Sequence, residues 1–221
     1  LFIELEQKER LKSKLEVDKL LSQINPHFLH NTLNTVQWIA RMNGQSEIVK
    51  LLSALTRLLH FNLGKEGSYV KVKEEIDAVR DYVALQLART DYQFEVRFEV
   101  DEVAGDCMIP RFLIQPLVEN AIYHGLLYEN GTIHITVEIE DANRIKIIVS
   151  DNGVGMDEEL RYKLMEGNRN TDENQKAGMG IGLNYIIKML EAYYGNAASV
   201  AIDSNIGEGT RVTINIPVKK A

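Results

Sequence analysis

Four short segments carry residue types able to handle a phosphorylated ligand. In LVENAIYHGL (117–126), Glu119, Asn120 and His124 fall within one and a half helical turns, and Asn120 and His124 share a face. An amide oxygen such as that of Asn120 suits Mg²⁺, a hard cation that takes oxygen ligands and works through nucleotide phosphates. In DNGVGM (151–156), Asp151 follows an apolar run from Ile145 to Val149. A carboxylate at a strand end, with glycines opening space beside it, can accept a hydrogen bond from an adenine amino group. GMGIGL (178–183) opens a helix with glycines at alternate positions, so that N–H groups and the helix dipole face an anion closely. GEGT (207–210) lies between two strands. Each segment taken singly has a plainer reading: a glycine turn, a turn-capping Asp, a polar helix surface. The Rossmann spacing is absent, and so is a GxxxxGK[ST] loop. A phosphate site here is of another design.

A fifth segment, QINPHFLHNTLN (23–34), sets Pro26 directly before His27. An imidazole with an unperturbed pKa near about 6.5 is mostly a free nucleophile at neutral pH. Proline inside a helix removes a hydrogen bond and displaces the preceding turn. Two readings stay open: Pro26 kinks a continuous helix, or Asn25 caps a new helix with Pro26 at its first position. Both put a mechanical weak point beside His27. The plainer reading of His27 is an exposed helix histidine. His30 is the second choice, and His60 and His134 read as structural.

The elements that position these residues follow from periodicity. Residues 1 to 20 are dense in Lys, Arg and Glu and read as an exposed helix entering a coiled coil. Val17, Leu21, Ile24 and Phe28 make an apolar seam, and Asn43-Gly44 ends the helix. A second amphipathic helix starts at Ser46 and ends between Asn62 and Gly67. Two such helices cannot bury both apolar faces alone, so a homodimer forming a four-helix bundle is expected. Beyond Gly67, helices are expected at 73–90, 110–126, from Asp157 and at 181–194. Strands are expected at 93–100, 132–140, 144–150, 197–203 and 210–216. The fold class is therefore α+β: a helical hairpin (1–66), then a two-layer α/β sandwich (67–221), a mixed sheet with helices on one face.

Composition narrows the partners. The chain has 221 residues, 45% of them apolar, and a formal net charge of −7. An acidic balance argues against nucleic acid as the main partner. The lone Cys107 allows no internal disulfide, which suits a reducing compartment. No stretch approaches the roughly 18 apolar residues of a membrane span. The chain starts at Leu1, which reads as a fragment whose missing N-terminal region is the expected link to a membrane.

LVENAIYHG, DNGVGM, GMGIGL and GEGT, in this order, resemble the N, G1, G2 and G3 boxes of the ATP-binding domain shared by gyrase, Hsp-type chaperones, mismatch-repair ATPases and histidine kinases. QINPHFLHNTLN and IPRFLIQPLVENAIYHG resemble the LytS/YesM-like sensor histidine kinases. The resemblance covers roughly residues 20 to 217. It implies that His27 receives the γ-phosphoryl group of ATP and passes it to an Asp of a response regulator. It also implies that Asn120 holds Mg²⁺, that Asp151 meets adenine, and that Gly153 and Gly155 floor the pocket. Gly178, Gly180 and Gly182 would face the phosphates, with His124 and Thr210 also at the nucleotide. Residues 166–177 would be the ATP lid, bringing Lys176 or Arg169 to the γ-phosphate. Many histidine kinases carry an acid directly after the phosphoacceptor; here that residue is Phe28. Glu119 then becomes the candidate base, and Asn31, one turn beyond His27, the residue that positions water for dephosphorylation. The protein is thus expected to be the cytoplasmic part of a membrane sensor. The alternatives are a related ATPase that opens and closes a dimer, or a nucleotide-binding scaffold without transfer.

Overall fold

The computed structural model describes residues 26–63, 69–90, 93–126, 130–141, 143–165 and 181–219, with backbone only at 26, 27 and 181. The expected coiled-coil entry lies outside the described residues. So do the expected lid, Arg169, Lys176, Gly178 and Gly180. The chain divides into two compact units, Leu1–Gly64 and Lys65–Ala221.

The first unit is a helical hairpin, α1 (Pro26–Met42) and α2 (Ser46–Leu63). The reversal comes at Asn43-Gly44, where Gly44 takes a φ of 68° that a side chain would resist. The Gln45 N–H donates to Ala40 O at 2.9 Å. Small residues let the helices approach: Ala40, Ala54 and Leu58 are buried, and Gln37 Nε2 donates to Ser53 Oγ at 2.6 Å. Trp38, Ile39, Met42 and Ile48 are left exposed, Trp38 by 62%.

The second unit is built on a five-stranded sheet of order β2-β4-β5-β7-β6. Its strands are β2 (Phe94–Val100), β4 (Gly131–Asp141), β5 (Arg144–Asp151), β6 (Ser199–Asn205) and β7 (Gly209–Pro217). β2 runs parallel to β4, and the other pairings are antiparallel. Alternation decides the inner face: Ile133, Ile135, Val137, Ile145, Ile147, Val149, Ile214 and Ile216 are all buried. Against that face pack α3 (Val72–Arg89), α5 (Gln115–Asn120) and α7 (Ile181–Tyr194), bringing Val79, Leu117, Val118, Ile186 and Leu190 into one core. Two further helices, α4 (Glu102–Gly105) and α6 (Glu158–Met165), fill connections.

The structure departs from the expected helix at 110–126. Met108–Pro110 is a strand, β3, paired antiparallel with β1 (Tyr69–Lys71), and together they form a separate two-stranded sheet. Phe112 has a φ of 64°, which no helix continues. Helix begins only at Gln115, and from Ala121 to Gly125 it widens into a π turn. The apolar periodicity of this segment therefore reports burial on several sides rather than one long helix.

A buried acid organises that irregular entry. Glu75 of α3 is wholly inaccessible, and its Oε1 accepts the N–H groups of Ile114 (2.6 Å) and Gln115 (3.4 Å). Burial pushes its carboxyl up to about 7, against the opposing pull of the Ile114, Gln115, Leu113 and Phe112 N–H groups. The native state thus holds this proton more tightly than the unfolded chain, whose carboxyl has an ordinary value of 4.5. Between those values stability falls as pH rises. Glu75→Gln, which keeps the acceptor oxygen, should therefore gain on the wild type between about pH 5 and about pH 8, by about 3 kcal/mol at roughly 1.4 kcal/mol per pKa unit. Urea unfolding at both pH values checks this, and equal pH dependence of the two proteins would contradict it.

Candidate functional site

In the second unit one cleft gathers the polar residues of three of the chemistry-bearing segments. Asn120, His124 and Gly125 enter it from the end of α5 and the π turn, Asp151 from the end of β5, and Thr210 from the start of β7. Leu117, Val149, Met156, Leu164, Leu183, Ile202 and Val212 supply apolar walls. β5 is the central strand of the sheet, so its last residue projects where neighbouring elements converge.

Space around Asp151 exists because side chains are missing. A Cβ on Gly125 would lie 2.7 Å from the Asp151 carboxylate, and one on Gly209 would lie 2.0 Å from the Asp151 carbonyl oxygen. A Cβ on Gly153 would lie 1.9 Å from Gly125 O. Gly155, at a φ of 65°, could carry no side chain without striking Asn205 O at 1.9 Å. Hydrogen bonds lock these loops together. Val154 N–H donates to Gly125 O at 2.8 Å, and Gly207 N–H donates to Val154 O at 2.7 Å. Ser204 Oγ accepts the Met156 N–H at 2.9 Å and lies 3.0 Å from Thr210 Oγ1. Gly153 and Gly155 thus shape the loop that frames the cleft rather than its floor, and the walls come from the neighbouring elements.

Burial pushes the Asp151 carboxyl above its ordinary value, and N–H groups of Gly153 and Thr210 pull the other way, the first at 2.9 Å from Oδ1. One acceptor at the base of an apolar slot suits the donor edge of a flat heteroaromatic ring, which fills the slot while its amino group meets the carboxylate.

Asn120 is half-buried at the cleft, close to α7: a Cβ on Gly182 would come within 3.2 Å of Asn120 Nδ2. Among the described residues no group of three or more His, Cys, Asp or Glu could hold a metal ion by itself. A divalent cation here would rely on the Asn120 oxygen and on phosphates brought by the ligand, and this donor set fits Mg²⁺. Glu119, adjacent in sequence, does not line the cleft. Its Oε1 accepts from Gln115 Nε2 at 3.0 Å.

In the first unit His27 is the second residue of α1, and Asn31, one turn on, is exposed. The His30 ring meets His60 edge-on at 5.8 Å, a contact between the two helices of the hairpin. His134 lies on the opposite face of the sheet from the core, in a polar groove beside Ser150 and Asp203.

Sequence reasoning did not single out Gly125 or Gly209, although a side chain on either would meet Asp151 more closely than one on Gly153, Gly155 or Gly182. The signal was present in the paired glycines of GEGT and in the glycine directly after His124. The apolar walls carried no signal, because their spacing is that of any core.

Known proteins match this chain in family and fold. The family described as "Histidine kinase" matches residues 15–94, and the one described as "Histidine kinase-, DNA gyrase B-, and HSP90-like ATPase" matches residues 105–220. Sensor histidine kinase YesM of Bacillus subtilis (strain 168) is 32% identical over 96% of this chain and 35% of its own length. Sensor histidine kinase YpdA of Escherichia coli (strain K12) is 34% identical over 96% of this chain and 36% of its own length. The chain thus spans about a third of the length of these relatives. ShkA, solved full-length in complex with AMPPNP, superposes with a TM-score of 0.54 at 20% identity, covering 92% of this chain and 46% of that one. The catalytic domain of histidine kinase ThkA superposes with a TM-score of 0.53 at 24% identity, covering 68% of this chain and 95% of that one. Both share the fold.

Asp151→Asn separates binding from stability. A hydrogen bond to a charged acceptor contributes about 1.5–3 kcal/mol, so affinity for ADP should fall at least tenfold. The fold favours the protonated carboxyl, so ionised Asp151 costs stability at neutral pH, and the variant without nucleotide should melt at a higher temperature. Calorimetric titration and thermal melting read the two effects, and unchanged ADP affinity would contradict the assignment.

Proposed function

The chain belongs to the family of histidine kinase-, DNA gyrase B- and HSP90-like ATPases, and we propose that it works as an ATP-dependent protein histidine kinase whose phosphoacceptor is His27. The observation that carries this reading is the cleft around Asp151. An apolar slot with one buried acceptor at its base and two polar side chains, Asn120 and His124, at its wall suits a purine nucleotide. The same chain supplies a histidine in a helical hairpin that matches the histidine kinase family.

In this reading adenine enters the slot and donates its amino hydrogen to Asp151. The phosphates run toward Asn120, His124 and Gly182. Mg²⁺, held by Asn120 and the phosphates, supplies charge neutralisation to the transferring group. The neutral imidazole of His27 attacks the γ-phosphorus through its lone-pair nitrogen. The bond from that phosphorus to the β–γ bridging oxygen breaks, ADP leaves with that bond's electron pair, and the other ring nitrogen gives its proton to a base or to solvent water. Lys176 and the glycines at 178 and 180 belong to the phosphate end of the site in the same proposal. Glu119 is a candidate base only if the nucleotide-bound state turns it from Gln115 toward the cleft. Asn31 is a candidate for positioning the water of dephosphorylation.

Two further parts of the proposal concern partners. Trp38, Ile39, Met42 and Ile48 leave the hairpin with an exposed apolar surface, and burying such side chains yields about 1.5–3 kcal/mol each. A second copy of the hairpin, completing a four-helix bundle, is the occupant that fits. The phosphoryl group then passes to an Asp of a response-regulator receiver domain. The relatives are sensor histidine kinases about three times as long, which supports a cytoplasmic kinase portion joined to a membrane sensor. Among the described residues no helix is long and apolar enough to cross a membrane.

Incubation with γ-³²P-labelled ATP and Mg²⁺ tests the proposal. The protein should take up an acid-labile, base-stable label that is lost in His27→Gln and kept in His30→Gln. A label that survives in His27→Gln would overturn the acceptor assignment. Phosphate release without any labelled protein would make the chain an ATPase of the wider family instead.

A further inference from the structure

Asn120 sits on a helix too short to orient itself. α5 has six residues, the Leu117 and Val118 N–H groups donate to Ile114 O at its start, and it runs into a π turn. Its direction must come from what holds its ends, because so short a helix has little internal cooperativity. Both ends are held by one element, α3. At the start, Glu75 Oε1 takes the N–H groups of Ile114 and Gln115. At the far end, Arg89 Nη2 donates to Tyr123 Oη at 3.0 Å, and Tyr123 Oη donates to Gln86 Oε1 at 3.3 Å. Asn120 lies between these two anchors.

The two anchors differ in kind. Gln86, Arg89 and Tyr123 form a partly exposed network of neutral and cationic groups. Glu75 is a wholly buried acid, and the segment it holds includes the left-handed Phe112. Its carboxyl also raises the Tyr185 phenol on α7, behind burial and the neighbouring Tyr193. The acid thus sits between α3 and the start of α5, within electrostatic reach of α7. A buried acid is a costly way to pack helices together, since an apolar residue of similar volume would fill the space without the desolvation penalty. What an apolar residue cannot supply is an acceptor for the two N–H groups that fix where α5 begins.

We propose that Glu75 is a positioning residue for phosphoryl transfer: by accepting the first N–H groups of α5 it sets the rotation and axial position of that helix, and so the placement of Asn120 in the cleft. Asp151 lies on β5, a different element, so adenine recognition does not depend on Glu75. The consequence is a split between two parts of nucleotide binding. The part that requires Mg²⁺ is coupled to Glu75, and the part that does not is independent of it. This inference rests on the reading that Asn120 serves Mg²⁺.

The test measures ADP affinity with and without Mg²⁺ for the wild type, Glu75→Met, Glu75→Gln and Asn120→Ala, with autophosphorylation at saturating ATP alongside. Glu75→Met fills the space without an acceptor. It should keep Mg²⁺-free ADP affinity within about threefold of the wild type and lose most of the gain that Mg²⁺ brings, with autophosphorylation falling at least tenfold. Glu75→Gln restores the acceptor and should recover the Mg²⁺ gain. Equal loss of both kinds of binding in Glu75→Met would overturn the proposal in favour of a general structural role. An undiminished Mg²⁺ gain in Asn120→Ala would overturn the site reading beneath it. Loss in Asn120→Ala with no loss in Glu75→Met would overturn the role of Glu75 alone. Should Glu75→Met fail to fold, hydrogen exchange on the wild type decides. Mg²⁺ with ADP should slow exchange of the Ile114 and Gln115 amides more than ADP alone, since coupling between sites is reciprocal. Amides indifferent to Mg²⁺ would contradict the proposal.

Discussion

A carboxylate kept ionisable inside an apolar slot is the constraint on which the second unit depends. Asp151 ends the central strand of the sheet, where burial opposes its charge. The Gly153 and Thr210 N–H groups oppose that effect, and glycines stand where side chains would crowd it. Gly125, Gly153 and Gly209 approach so closely that a methyl group on any of them would collide with Asp151 or with the loop beside it. The same absence of side chains lets the backbones of three loops hydrogen-bond to one another. Packing that would usually come from side chains is replaced there by backbone contact, and the cleft stays open beside it.

In the proposed function, that arrangement would divide the chemistry between two kinds of structure, as follows. Recognition of a ring system sits on the sheet, whose strands are fixed by ladders of hydrogen bonds and by a core of branched residues. Handling of phosphate and cation sits on α5 and its π turn, which are short and irregular and are held from outside by α3. His27, the acceptor in the proposed function, belongs to a separate helical hairpin. A chain built this way can keep its ring pocket rigid while the phosphate end is adjusted by neighbouring elements.

Much of this was legible in the residue order, for identifiable reasons. Strands β4, β5 and β7 alternate over seven or more residues, so their period stands out, and their ends fell within two residues of the reading. Asp151 was legible because a polar residue breaks an apolar run directly before glycines. The irregular entry to α5 was not legible. Its cause is Glu75, 39 residues away in sequence, and a lone acid on an amphipathic helix reads as solvent-facing. The β1–β3 pair was missed because each strand has only three residues, too few for a period to show. The π turn was missed because the apolar spacing around it matches that of an α-helix. At the entry to α5 a contact distant in sequence overrode a local pattern, and in the other two cases the local pattern was too short or too ambiguous to show.

The most direct test of the central claim is a crystal structure of the protein with Mg²⁺ and a non-hydrolysable ATP analogue. The adenine amino nitrogen should lie about 3 Å from an Asp151 carboxylate oxygen, with the phosphates toward Asn120. An analogue bound elsewhere while this cleft stays vacant would contradict the account.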